Sequence, residues 1–307
     1  MKTDSNLEKV LEAGEFAVTS ECGPPRGADP DVIRDKGELL KGVVDGVNIT
    51  DCQTSVVRMS SFSSCLILKE MGFDPILQMV TRDRNRIAIQ SDILGAAALG
   101  INNILCLSGD HQRFGDHPQA KNVYDIDSIQ LIMTVKKMRD EGKFLNDEEL
   151  TKAPRLFIGA AANPFADPFE IRALRLGKKV AAGVEFIQTQ CIYNLKRFEE
   201  WMRQVVDMGL HEKVCILAGI TPLKSVGMAR YMKNLVPGMD VPDEIIERLK
   251  GVPKEKQSDE GIKICIETIR KLREMEGIRG VHIMAIEWEE KVREIAEGAG
   301  LLPRPTA

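Results

Sequence analysis

Short apolar runs alternate with longer amphipathic ones from end to end of the chain. The runs at 15–20, 46–50, 75–80, 102–107, 155–160, 184–189, 214–219 and 280–285 are rich in Val, Ile, Leu and Phe, as expected of strands buried on both faces of a parallel sheet. Between them, apolar positions at helical spacing predict helices near 30–44, 55–72, 84–99, 126–141, 166–182, 195–208 and 223–234. Two more, 242–250 and 259–276, precede the eighth strand, and 287–298 follows it. The opening MKTDSNLEKVLEAGE reads as one further amphipathic helix. Eight βα units in 307 residues predict an α/β fold, a closed (β/α)8 TIM barrel, as one domain over 1–307 with an N-terminal helix. An open doubly wound sheet is the alternative, and the lack of a GxGxxG after the first strand argues against it. No Gly-, Ser- or Pro-rich linker divides the chain, and 236–257 reads as a decorated connection.

In barrels of this kind chemistry sits at the carboxyl ends of the strands, so the residues found there matter most. Glu21 follows the first strand, in SECGPPRG, where Pro24 and Pro25 fix the next turn. Thr50 and Asp51 follow the second strand. The third strand carries Gln78 and runs into TRDRNR (81–86); the fourth runs into SGD, with Gly109 and Asp110. Asn163 lies in AANP after the fifth, Gln188 and Gln190 in QTQ at the sixth, Thr221 after the seventh, and Glu287 near the eighth. A lone carboxylate after a strand is ordinarily a solvated loop residue. Polar side chains abutting apolar strands this often predict a ring of active-site groups instead. Two carboxylates with several amides and hydroxyls suit hydrogen-bond recognition of a flat heterocycle together with one proton transfer. They suit nucleophilic or metal-assisted hydrolysis poorly, because no Ser/His or Cys/His pair accompanies them. The cations of RDRNR and RALRLGKK (172–179) read either as solvated helix faces or as contacts to a ligand phosphate.

Composition narrows this only slightly. The hydrophobic fraction of 43% and charged fraction of 29% are those of a soluble globular protein, and a net charge of −4 argues against a nucleic-acid binder. No apolar run is long enough for a membrane span, and the amino terminus lacks a signal-peptide core, so a cytoplasmic protein is expected. The 7 cysteines show no CxxC spacing and the 4 histidines form no ligand pair, so no metal site is expected.

Together SECGPPRG, VNIT, LSGD, KKVAAGVEFIQTQ and GVHIMAIE, in this order and at these strand ends, resemble the methylenetetrahydrofolate reductase family from residue 14 to about 300. The resemblance implies a flavin-dependent (β/α)8 barrel that reduces 5,10-methylenetetrahydrofolate to 5-methyltetrahydrofolate. On it, Glu21 matches the general acid that protonates N10, opening the five-membered ring to an N5-iminium ion that accepts hydride from flavin N5. Asp110 matches the aspartate between flavin and pterin, and Gln190 the glutamine that hydrogen-bonds the folate. Thr50, Gly109, Tyr124, Asp125 and Lys179 fall at flavin-contacting positions, with Asn163 nearby. Gln78 stands where many members have His, and Ser108 where many have Arg. Arg172 and Arg175 stand where Asp and Asn are common, so the cofactor is FAD or, with these extra cations, FMN. Cys22 and TRDRNR look more like members from anaerobes. The implied partners are methylenetetrahydrofolate and NAD(P)H or an electron-transferring subunit, in an oligomer or hetero-complex. A pterin-binding methyltransferase and a flavin-carrying electron-transfer subunit are the alternatives.

Overall fold

Eight parallel strands close on one another in sequence order in the computed structural model, which describes residues 1–305. They are β1 Ala17–Cys22, β2 Gly46–Ile49, β3 Pro75–Val80, β4 Asn103–Leu107, β5 Phe157–Ala162, β6 Phe186–Cys191, β7 Cys215–Ile220 and β8 Ile278–Ile283. Pairing of Ala17 with Gly280 and of Ser20 with Ile283 joins β1 to β8 and completes the barrel. The helices are α1 Asn6–Glu12, α2 Asp31–Leu40, α3 Ser61–Glu70, α4 Arg86–Ala98, α5 Ser128–Asp140 and α6 Arg172–Ala182. After them come α7 Leu195–Asp207, α8 Val226–Leu235, α9 Asp243–Lys250, α10 Gln257–Arg273 and α11 Lys291–Gly298.

Successive strand residues face opposite sides, so each strand sends alternate side chains into the barrel. At the amino-terminal end the inward residues Ala17, Ile76, Leu105, Phe157, Phe186 and Leu217 form one apolar cluster with Leu7, Val10 and Leu11 of α1. Helix α1 therefore plugs that mouth. Phe157 and Phe186 stack at 5.1 Å within the plug. Gly159 makes this possible, since a methyl group there would come within 2.2 Å of the Phe186 ring. The outward residues pack under the helices in a second, larger core.

The strands β1, β5 and β6 begin two residues later than the apolar runs suggest. For β1 the reason is local: the Glu15 amide bonds back to the Val10 carbonyl at 3.1 Å, closing α1 and delaying the strand. A shift of two leaves every side chain on its expected face. Two helices start late for similar reasons. Ser60 caps α3 by accepting from the Ser63 amide, and Asn163 folds the chain ahead of α6 by accepting from the Phe165 and Ala166 amides at 3.0 and 3.1 Å. No helix among the described residues is long and apolar enough to cross a membrane. Nor do three or more His, Cys, Asp or Glu side chains gather among them to hold a metal ion.

Candidate active site

Parity along the strands decides which polar groups meet. Above the apolar plug lies a buried polar layer inside the barrel. Asn48 and Gln188 exchange side-chain hydrogen bonds of 2.6 and 2.9 Å, Gln188 also donates to Thr19 Oγ1, and Thr19 Oγ1 lies 3.0 Å from His282 Nδ1. Burial pushes the His282 imidazole down to about 3, so it is neutral at physiological pH. One step further toward the carboxyl ends the same parity brings in Glu21, Thr50, Gln78, Gly109 and Gln190, which line a cavity of about 340 Å³ above this layer. Asp110 lies at its rim, and Leu105, Leu107 and Met284 supply apolar wall.

Glu21 is the group whose chemistry the fold changes most. Its carboxyl is raised from 4.5 to about 7, first by burial and then by the negative charge of Glu289. Lys36, a hydrogen bond from Gln78 and the charge of Arg58 pull the other way. Lys36 Nζ, in turn, lies 2.9 Å from the buried Glu289 carboxylate. The turn after Glu21 is pinned carbonyl by carbonyl: Lys36 Nζ reaches Gly23 O at 3.4 Å, Arg58 Nη1 reaches Pro24 O at 2.9 Å, and the Met59 amide reaches Pro25 O at 2.9 Å. An acid on a fixed strand with its turn held at three points is rigidly placed.

A second chamber of about 240 Å³ adjoins the first, sharing Leu107, Ser108, Ala161 and Gln190. Asn163, Arg172, Arg175 and Lys179 line it. Lys179 is lowered to about 8, by burial first and then by the Arg175 charge, and its Nζ donates to the Ala161 carbonyl. Arg172 spends Nε on the Ala166 carbonyl at 2.6 Å and Nη2 on that of Asp167. Arg175 has no ion-pair partner among the described residues. An anion in the chamber would favour the charged form of Lys179, which burial and the neighbouring exposed Arg175 disfavour.

The cations of RDRNR do not share this property, for each has a carboxylate partner. Arg82 pairs with Asp83, Arg84 with Asp51 and Asp92, and Arg86 with Asp125. Of the two readings open for that stretch, a ligand-phosphate contact finds no free cation here. Asp125 is held at Arg86 Nε and Nη2 by 2.8 and 2.9 Å bonds, which pull its carboxyl down to about 2. It lines neither chamber, and neither does Tyr124, whose hydroxyl lies 3.4 Å from Gly109 O. His282, Lys36, Glu289 and the inward role of Arg82 are additions that sequence reasoning missed. Only His282 had a signal, its even spacing from Gly280 and Met284 around the outward Val281. Lys36 and Glu289 reach the site from a helix and a loop distant in sequence from Glu21, and Arg82, though it follows β3 directly, is turned inward by contacts with the loops after β2 and β4.

A closed βα barrel with one protonatable acid set among amides, beside a cationic side chamber, has the architecture of an enzyme barrel, with both chambers at the carboxyl ends of its strands. The family follows from comparison. The chain belongs to the methylenetetrahydrofolate reductase family, whose model matches residues 6–300. A probable methylenetetrahydrofolate reductase (NADPH) of Caenorhabditis elegans is 22% identical over 310 residues, covering 96% of this chain and 44% of its own. Methylenetetrahydrofolate reductase 1 of Schizosaccharomyces pombe is 24% identical over 249 residues, covering 77% and 37%. The chain thus spans less than half the length of these curated relatives. Among solved structures, an uncharacterized protein from Clostridium thermocellum that binds two copies of 5-methyl-5,6,7,8-tetrahydrofolic acid superposes with a TM-score of 0.62 at 16% identity, covering 97% of this chain and 99% of that one. A 2,3-dimethylmalate lyase shares the barrel at a TM-score of 0.50 and 9% identity, covering 92% and 79%.

Proposed function

We propose that this chain reduces 5,10-methylenetetrahydrofolate to 5-methyltetrahydrofolate with a bound flavin, FAD or FMN. The observation that carries this is Glu21: a carboxyl raised to about 7, on the wall of the main cavity, keeps its proton in about half of the molecules at pH 7, where an ordinary glutamate has lost it, and is able to donate. Membership of the family supports the choice of substrate.

The residues present suit a flavin. Thr50 Oγ1 is buried on the cavity wall with no hydrogen-bond partner among the described residues, as a polar ring edge would require. Lys179 and Arg175 present the side chamber with cations whose mutual repulsion a phosphate would offset. Thr50, Gln78, Gly109 and Asp110 would hold the ring system, and Asn163, Arg172, Arg175 and Lys179 the phosphate end. The reduced flavin supplies the hydride. Glu21 delivers a proton to N10 of the folate, which opens the methylene bridge to the N5-iminium ion. Asp110 places negative charge near that developing cation, and Gln190 fixes the pterin by hydrogen bonding. Leu105, Leu107 and Met284 limit the water around the reacting carbon. No Phe, Tyr or Trp lines either chamber as a platform for a nicotinamide, so NAD(P)H and an electron-carrying partner protein are both to be tried as donor.

Stopped-flow absorbance of the flavin band separates the two half-reactions. With whichever donor bleaches the wild-type protein, Glu21→Gln should be reduced at the wild-type rate. Its reoxidation by methylenetetrahydrofolate should be slower by about 10⁴-fold, the upper end of general acid catalysis, because the same proton also creates the electrophile. Equal slowing of both halves, or of neither, would return Glu21 to the status of a buried structural carboxyl. A colourless protein that takes up neither FAD nor FMN would remove the flavin.

A further inference from the structure

The guanidinium of Arg82 is almost fully covered, with 3% of the side chain exposed, and has an acceptor for every one of its five N–H groups. Nε and Nη2 grip the Asp83 carboxylate at 2.8 and 2.6 Å. Nη1 donates to Ser55 Oγ at 2.8 Å and to the Asp110 carbonyl at 3.1 Å, and Nη2 donates to the Cys52 carbonyl at 3.3 Å. The bonds reach three different βα loops, those after β2, β3 and β4. The backbone of Arg82 adds to the tie, its amide bonding Ser108 O and its carbonyl accepting from the Val123 amide.

What is held is a strained segment. Cys52, Thr54 and Ser55 have φ of 45, 57 and 57°, a left-handed conformation unusual for side chains with a Cβ, and Cys52 and Gln53 line the main cavity. No glycine or proline in DCQTS explains the conformation, so tertiary contacts must hold it. The result is specific: the Thr54 amide points at Asp110 Oδ2, 3.1 Å away, while Ser55 Oγ donates to the Asp110 carbonyl at 2.8 Å. We propose, on the strength of the reductase reading above, that Arg82 is a positioning residue which, through the strained 52–55 segment, fixes the carboxylate of Asp110 toward the reacting carbon. Lysine cannot replace it, having three donors and no planar fork.

A double-mutant cycle tests this, read in the folate half-reaction alone. Arg82→Lys should reoxidise about 10²-fold more slowly, the scale on which small misplacements act. Asp110→Asn should also be slow, and Arg82→Lys added to it should change the rate by less than threefold, since both act through one group. An Arg82→Lys effect of the same size in both backgrounds, or none in either, overturns the proposal. Amide hydrogen exchange on the same flavin-loaded proteins gives a second readout independent of turnover. Arg82→Lys should speed exchange at the Thr54 amide at least tenfold with strand amides unchanged, and unaltered protection there overturns the clamp. If wild-type flavin is not reoxidised by methylenetetrahydrofolate at all, the reductase reading fails, and the exchange result alone then decides whether Arg82 holds the segment.

Discussion

Glu21 titrates near neutral pH because the fold makes ionisation expensive there, and that leaves a trace in stability as well as in catalysis. A carboxyl raised from 4.5 to about 7 in the native state stabilises the fold fully only below pH 4.5, and this contribution is lost as pH rises through 7. The shift corresponds to at most about 3 kcal/mol, less because part of the group faces the open cavity. Glutamine carries no such charge. Thermal unfolding of Glu21→Gln and wild type, compared from pH 5 to pH 8, should therefore show the variant gaining on the wild type by several degrees. A difference in Tm that stays constant across this range would mean that Glu21 ionises as an ordinary glutamate.

At the scale of elements, the strand-to-loop junctions carry the site, and the junction after β4 is the most constrained. Gly109 has φ +85°, and a methyl group on it would lie 3.0 Å from Val80 Cβ on the neighbouring strand. Backbone strain of this kind costs an alanine about 1–2 kcal/mol before any clash is counted. Gly109→Ala should lower Tm by a few degrees and, because Asp110 is the next residue, weaken retention of the flavin measured by ultrafiltration. Unchanged melting would show that the junction can relax. The sequence marked Gly109 and Asp110 as a unit. It gave no sign that the loop after β2 would fold left-handed against them, since that conformation is decided by Arg82, nearly thirty residues away.

The whole molecule divides its labour between two ends. The carboxyl-terminal face holds both chambers, whereas the amino-terminal face is filled by α1 and tied by ion pairs. Arg304, beyond the span that the family model matches, reaches back to the buried Asp45 at 2.6 Å and to the Phe16 carbonyl at 2.8 Å, while Asp45 also accepts from the Val18 amide at the start of β1. Arg304→Ala would leave that carboxylate buried without its partner, a loss of about 3–5 kcal/mol. Denaturant unfolding should show it as a lower midpoint, with flavin and folate dissociation constants of the folded variant unchanged. A changed folate affinity would mean that the two ends communicate.

The sequence by itself determined the order and number of the strands, which side chains face inward, and most of the ring at their ends. These follow from local periodicity, and a period of two survives even when a strand slips by two residues, as β1 does. Glu21, Thr50, Gln78, Asp110, Asn163 and Gln190 were legible for that reason, each on or just after an apolar run, whereas Lys179, inside α6, was marked only by the family resemblance. Only the tertiary structure decided that Asp125 belongs to Arg86 and not to a chamber, that the RDRNR arginines are neutralised, and that Glu21 feels the charges of the paired Glu289 and Lys36. Charge pairing and desolvation depend on which residues meet across the barrel, and contacts between distant segments leave no period in the chain.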